Sequence, residues 1–88
     1  MSTNLIYGLL TPGQCRAARA LLGWSQSELA TRALVSISTI AQFERGERAT
    51  TRANLVALRQ ALDLAGIAFL TNEGGGVGVR FREARDSR

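Results

Sequence analysis

Residues that cap helices recur at short intervals through the first two thirds of this chain, and that spacing confines it to short helices. Thr11 stands before Pro12 and three residues before Gln14, the pattern of a capping box with proline in the first turn. Cys15, Ala18 and Leu22 then share one face, and Gly23 ends the segment. Ser25 opens a second helix over Gln26 to Ala33, with Glu28 placed to close another box and Trp24 placed to staple onto Leu29. Ser36 caps a third helix, which runs through Ile40 and Phe43 and stops at Arg45 and Gly46. After a loop, Glu47 to Thr50, Thr51 caps a fourth, whose Leu55, Leu58, Leu62 and Ala65 recur at helical spacing up to Gly66. Helices this short are unstable alone, so they need tertiary packing.

Beyond Gly66 the hydrophobic period changes from that of a helix to that of a strand. Ile67 to Thr71 reads as a strand, Asn72 to Gly76 as a turn, and Val77 to Arg82 as a returning strand. Val77, Val79 and Phe81 face one way, and Gly78, Arg80 and Arg82 face the other. At 88 residues the chain makes one domain at most, since so short a chain buries little more than ~60% of its unfolded surface. The organisation expected is an N-terminal arm over 1–10, a helical domain over 11–66, a β-hairpin over 67–82 and a disordered tail over 83–88.

Several functions are excluded by what the chain lacks. It has no His and one Cys, so a His general base, a His triad and a His- or Cys-ligated metal site are not open to it, and no cofactor is expected. An enzyme is therefore not expected. Cys15 reads as a small core residue, and a single thiol suits the reducing cytoplasm. The apolar run Leu5 to Leu10 lacks a basic leader and is far shorter than the ~20 residues of a membrane span, so no membrane association is expected.

Every cationic side chain is Arg, which suits phosphate oxygens better than Lys does. Residues 14–60 hold seven Arg against three Glu, a surplus of 7 − 3 = +4, whereas 61–88 hold four Arg against four acids and balance. The positive field thus belongs to the middle of the chain and favours a polyanion there. Two short helices joined by Ala33-Leu34-Val35, within that field, are what a helix-turn-helix DNA reader requires. On periodicity alone, a small helical bundle with a solvated face fits equally well.

The stretch Arg16 to Leu62 resembles the Cro and phage-repressor (XRE-like) family of DNA-binding domains. Ser25-Gln26-Ser27-Glu28-Leu29-Ala30, Ser38-Thr39-Ile40 and Phe43-Glu44-Arg45-Gly46 carry the likeness. It implies a mainly α, four- to five-helix, lambda-repressor-like domain followed by the two-stranded hairpin, and a partner in double-stranded DNA. It makes 36–43 the recognition helix, puts Ser38 and Gln42 at base edges, and puts Gln26 and Arg52 at phosphates. It also pairs Arg19 with Glu44. One departure is Leu34, where the family usually has Gly.

The residues add their own chemistry to that assignment. The Gln42 amide both donates and accepts, as adenine N6 and N7 require, Ser36 and Ser38 offer short hydroxyls, and Ile37 suits a thymine methyl. Ile37 packed against the first helix is the equal alternative. Arg45, Arg48 and Arg52 form a basic run beside the recognition helix and are assigned to phosphates, whereas Arg16, Arg32 and Arg59 are taken as surface charges. The hairpin lies beyond the resemblance. Its apolar faces look larger than one small domain covers, and its edge is open, so a homodimer through 67–82 on a palindromic site is expected. The alternative is an antitoxin-like module whose hairpin binds a partner protein.

Overall fold

The computed structural model describes residues 9–70 and 76–84. Expectations for the arm at 1–8, the turn at 71–75 and the tail at 85–88 lie outside the described residues. Four helices and a hairpin follow in order: α1 Pro12–Leu22, α2 Gln26–Ala33, α3 Ile37–Glu44, α4 Arg52–Leu64, β1 Ile67–Leu70 and β2 Gly78–Phe81. The fold is mainly α, and the two strands form one antiparallel sheet.

Each helix begins where a hydroxyl takes up an orphan amide. Thr11, Ser25, Ser36 and Thr51 accept from the backbone N–H three residues on. At Thr11 the box is complete, because Gln14 Oε1 accepts from Thr11 N–H at 3.0 Å. At Ser25 it is only half closed. The Glu28 carboxylate turns forward instead and pairs with Arg32 one helical turn on, at 3.0 Å.

The helices end through a left-handed residue. Gly23 and Gly46 occupy that region at φ 72° and 74°, and Leu34 occupies it between α2 and α3 at φ 59°. A β-carbon there costs about 1 kcal/mol or more, so the α2–α3 turn is strained where its two counterparts are not.

The core runs between all four helices and the hairpin. Cys15 and Ala18 of α1, Leu29 of α2, Ile40 and Phe43 of α3, and Leu55, Leu58 and Leu62 of α4 close around it with Ile67 of β1. Leu10, placed in the arm by the sequence, is 3% exposed and belongs to this core. Arg59 is no surface charge: it is half-buried, its Nη1 donates to Leu9 O at 2.9 Å, and it lies 4.4 Å above the Phe69 ring.

The hairpin folds back on its own helices, β2 on α1 and β1 on α4. Its register pairs Ile67 with Phe81 and Phe69 with Val79, which puts these four on the face that packs against the core. Leu70 pairs with Gly78 and is exposed. The domain thus covers the apolar side chains of the hairpin in part: Ile67 is buried, Phe69, Val79 and Phe81 are half-buried against the core, and Leu70 and Val77 stay exposed. Gln14 fastens the arrangement: its Nε2 donates to Gly78 O at 3.0 Å and Leu70 O at 3.3 Å, one carbonyl on each strand.

Candidate nucleic-acid interface

α3 divides into a held face and an open one. Ile40, Phe43 and Glu44 are buried, whereas Ser36 and Ser38 are exposed, Ile37 is 49% exposed and Gln42 is half-buried. The hydroxyl of Ser36 is already engaged, accepting from Thr39 N–H at 3.1 Å and donating to Thr39 Oγ1 at 2.8 Å. Ser38 and Ile37 carry no such obligation. Gln42 lines a shallow groove with Thr39, the 48–51 loop and Asn54 at the start of α4. The sequence reading gave Thr39, Thr50 and Asn54 no role at the site. Their clue was the cap pattern at Thr51, which folds the loop back so that Asn54 Nδ2 donates to Thr50 Oγ1 at 2.8 Å.

The held face ends at Glu44, 2% exposed, and a carboxylate so placed must be fully satisfied. Oε1 accepts from Arg19 Nη2 at 2.7 Å and Gln26 Nε2 at 2.9 Å, and Oε2 accepts from Arg19 Nε at 2.8 Å and the Cys15 thiol at 3.0 Å. Arg19 also donates to Trp24 O at 3.0 Å, and Arg16 donates to the Glu44 backbone carbonyl. One side chain on α3 is thereby tied to α1 and α2 together. Burial pushes the Glu44 carboxyl up, but the hydrogen bonds from Arg19, Cys15 and Gln26 outweigh it and hold it below the ordinary range. Burial, and then the bond to Glu44, push the Cys15 thiol up, so it stays a neutral donor. Cys15 is thus more than the apolar filler its sequence context suggested. Arg16 is likewise engaged rather than a free surface charge.

The residues assigned to phosphate fall into three situations. The Gln26 amide points inward to Glu44. Arg45 pairs with exposed Glu47, at 2.8 Å and 3.0 Å, so this pair adds no net charge. Arg48 and Arg52, both exposed, have no ion-pair partner among the described residues. Arg48 lines the groove with Gln42, and Arg52 opens α4, whose first amides are oriented for an anion. Arg32, remote from this cluster in sequence, pairs with Glu28 and lies 4.5 Å above the Trp24 ring.

A short helix with an open polar face, braced from behind by a second short helix and flanked by unpaired arginines, defines a DNA-binding helix-turn-helix protein. A helix-turn-helix family model matches residues 16–67, more than half of the chain, and the chain belongs to the Cro/phage-repressor (XRE-like) helix-turn-helix family. No curated protein sequence matches it significantly. The family is one of DNA-binding domains rather than enzymes, which makes this chain a DNA-binding regulator. Among the described residues no helix is long and apolar enough to cross a membrane.

Proposed function

We propose that the chain is a sequence-specific transcriptional regulator that inserts α3 into the major groove. Gln42, Ser38, Ser36 and Ile37 meet base edges, and Gln26, Arg45, Arg48 and Arg52 hold phosphates. The observation that carries this reading is the contrast on α3, whose inner face is fixed through Glu44 while its outer face stays open beside Arg48 and Arg52. Arg45 then exchanges Glu47 for a phosphate on binding, and Gln26 contributes through the second proton of its amide.

Selection of bound fragments from random duplex DNA tests the reading. One preferred motif is expected. Gln42→Ala should relax one base pair per half-site by ~1–3 kcal/mol, while Arg52→Ala should weaken all sequences alike and lower the salt slope by about one. Should Gln42→Ala lower affinity without changing the preferred motif, Gln42 is not at a base edge.

The hairpin supports a homodimer on a palindromic site. With its core face partly covered at home, what remains most open to a partner is the strand edge together with Leu70 and Val77, 40% and 52% exposed. Two recognition helices would then lie about 34–36 Å apart, one turn of the duplex. Val77→Asp leaves the core untouched, so it should yield a folded monomer in sedimentation. A wild-type chain that is monomeric on a palindromic duplex would refute the dimer. The same exposed residues would serve an antitoxin-like module, in which a partner protein covers the hairpin.

A further inference from the structure

Three helices of this chain end in the same way. Trp24 N–H reaches Arg19 O at 2.9 Å, Val35 N–H reaches Ala30 O at 3.3 Å and Glu47 N–H reaches Gln42 O at 3.1 Å, each closing over one left-handed residue. Two of those three seats hold glycine, Gly23 and Gly46, which adopt this backbone without strain. The third, two residues before the cap of the recognition helix, holds Leu34. Burial does not offset its strain, because Leu34 is 90% exposed. The next exposed apolar side chain is Ile37, at the first position of α3.

We propose that Leu34 is a specificity-determining DNA contact that extends the apolar surface of Ile37 over a thymine methyl group at the edge of the recognition site. The inference rests on the proposed function and adds to it a residue outside the recognition helix. DNA is the occupant because Leu34 stands two residues before the cap of the reading helix. The turn leads directly into Ser36, and the N-terminal residues of a recognition helix are those that meet base edges. Leu has no polar atom with which to hold a phosphate. The one apolar group displayed on the major-groove edge of a base pair is the C5-methyl of thymine. Strain kept at an exposed position beside a binding surface is what a functional contact would leave behind.

The test uses the full chain and the duplex selected by it, with each thymine replaced in turn by deoxyuridine, which removes only the methyl. At one thymine per half-site the loss should weaken the wild-type chain about fourfold, the worth of one buried methyl group. Leu34→Gly and Leu34→Asn, both compatible with the left-handed backbone, should bind the thymine and uracil duplexes equally. Leu34→Gly should melt at the wild-type temperature or above it, which separates lost affinity from lost fold. The inference is overturned if both variants keep the wild-type response to every methyl. It is equally overturned if they bind all duplexes more weakly by one common factor, since that describes a sugar contact. A wild-type chain with no preferred duplex removes the proposed function and this inference together, whereas a preferred duplex insensitive to Leu34 removes this inference alone.

Discussion

Glu44 and Gln14 are the two buried polar side chains among the described residues, and they sit at opposite jobs. Glu44 is charged and gathers donors from α1 and α2 onto the end of α3. Gln14 is neutral, completes the box at Thr11 and spans the carbonyls of both strands. Each joins segments far apart in sequence. The difference teaches where this domain requires a fixed geometry. A charged centre tolerates no missing partner, and it stands behind the helix whose aim decides function. The neutral centre fastens both strands of the hairpin to α1.

The largest expected effect breaks the charged centre from one side. Arg19→Met removes two of the bonds to a carboxylate that cannot reach water, and stranding such a charge costs ~3–5 kcal/mol. Thermal melting should show a fall of at least ~12 °C for a domain of this size. A melting temperature within a few degrees of wild type would mean that Glu44 is solvated in solution, and the contrast with Gln14 would collapse.

Acid probes the same centre without a new cavity. The folded-state pKa of Glu44 lies below its unfolded value, so its contribution is whole above about pH 4.3 and is lost as pH falls through the folded value. Unfolding free energy measured across that window should fall more steeply for wild type than for Glu44→Gln. Equal slopes would place the acid sensitivity in other carboxylates.

Gln14→Ala is expected to cost less, ~1–3 kcal/mol, because it strands neutral carbonyls and an amide rather than a charge. Hydrogen exchange should quicken across β1, β2 and the start of α1 while α3 keeps its protection. Faster exchange in α3 would show that the two centres are coupled and that the division drawn between them is too sharp.

The two centres were unequally legible in the sequence. The cap half of the Gln14 arrangement could be read from Thr11, Pro12 and Gln14, since a capping box lies within one turn. Its reach to Leu70 and Gly78 could not, because nothing local relates residue 14 to the strand register. At the other centre, the pairing of Arg19 with Glu44 came from the family likeness. Cys15 and Gln26 gave no sign that they converge on the same carboxylate. Leu34 shows the same boundary from the other side. Its left-handed backbone follows from the seat between two helices, but a sequence rule would have put glycine there.

The smallest expected effect comes from an ion pair that lacks burial. Arg82 Nη1 meets Asp63 Oδ1 at 2.9 Å with the two side chains 49% and 59% exposed, against 19% and 2% for Arg19 and Glu44. The bond lengths are nearly the same, 2.9 and 2.7 Å, so length cannot distinguish the pairs. Solvent does. A water-facing pair is worth ~0–1 kcal/mol and is screened by salt, and neither partner is stranded when the other is lost. Arg82 also keeps its bond to the Asp63 backbone carbonyl, at 2.7 Å, after the carboxylate is gone. Asp63→Asn should therefore shift the melting temperature by only a few degrees, and by less still in concentrated salt, while the cost of Arg19→Met persists there. If Asp63→Asn proved as costly as Arg19→Met, burial would not be what separates the two ends of the molecule.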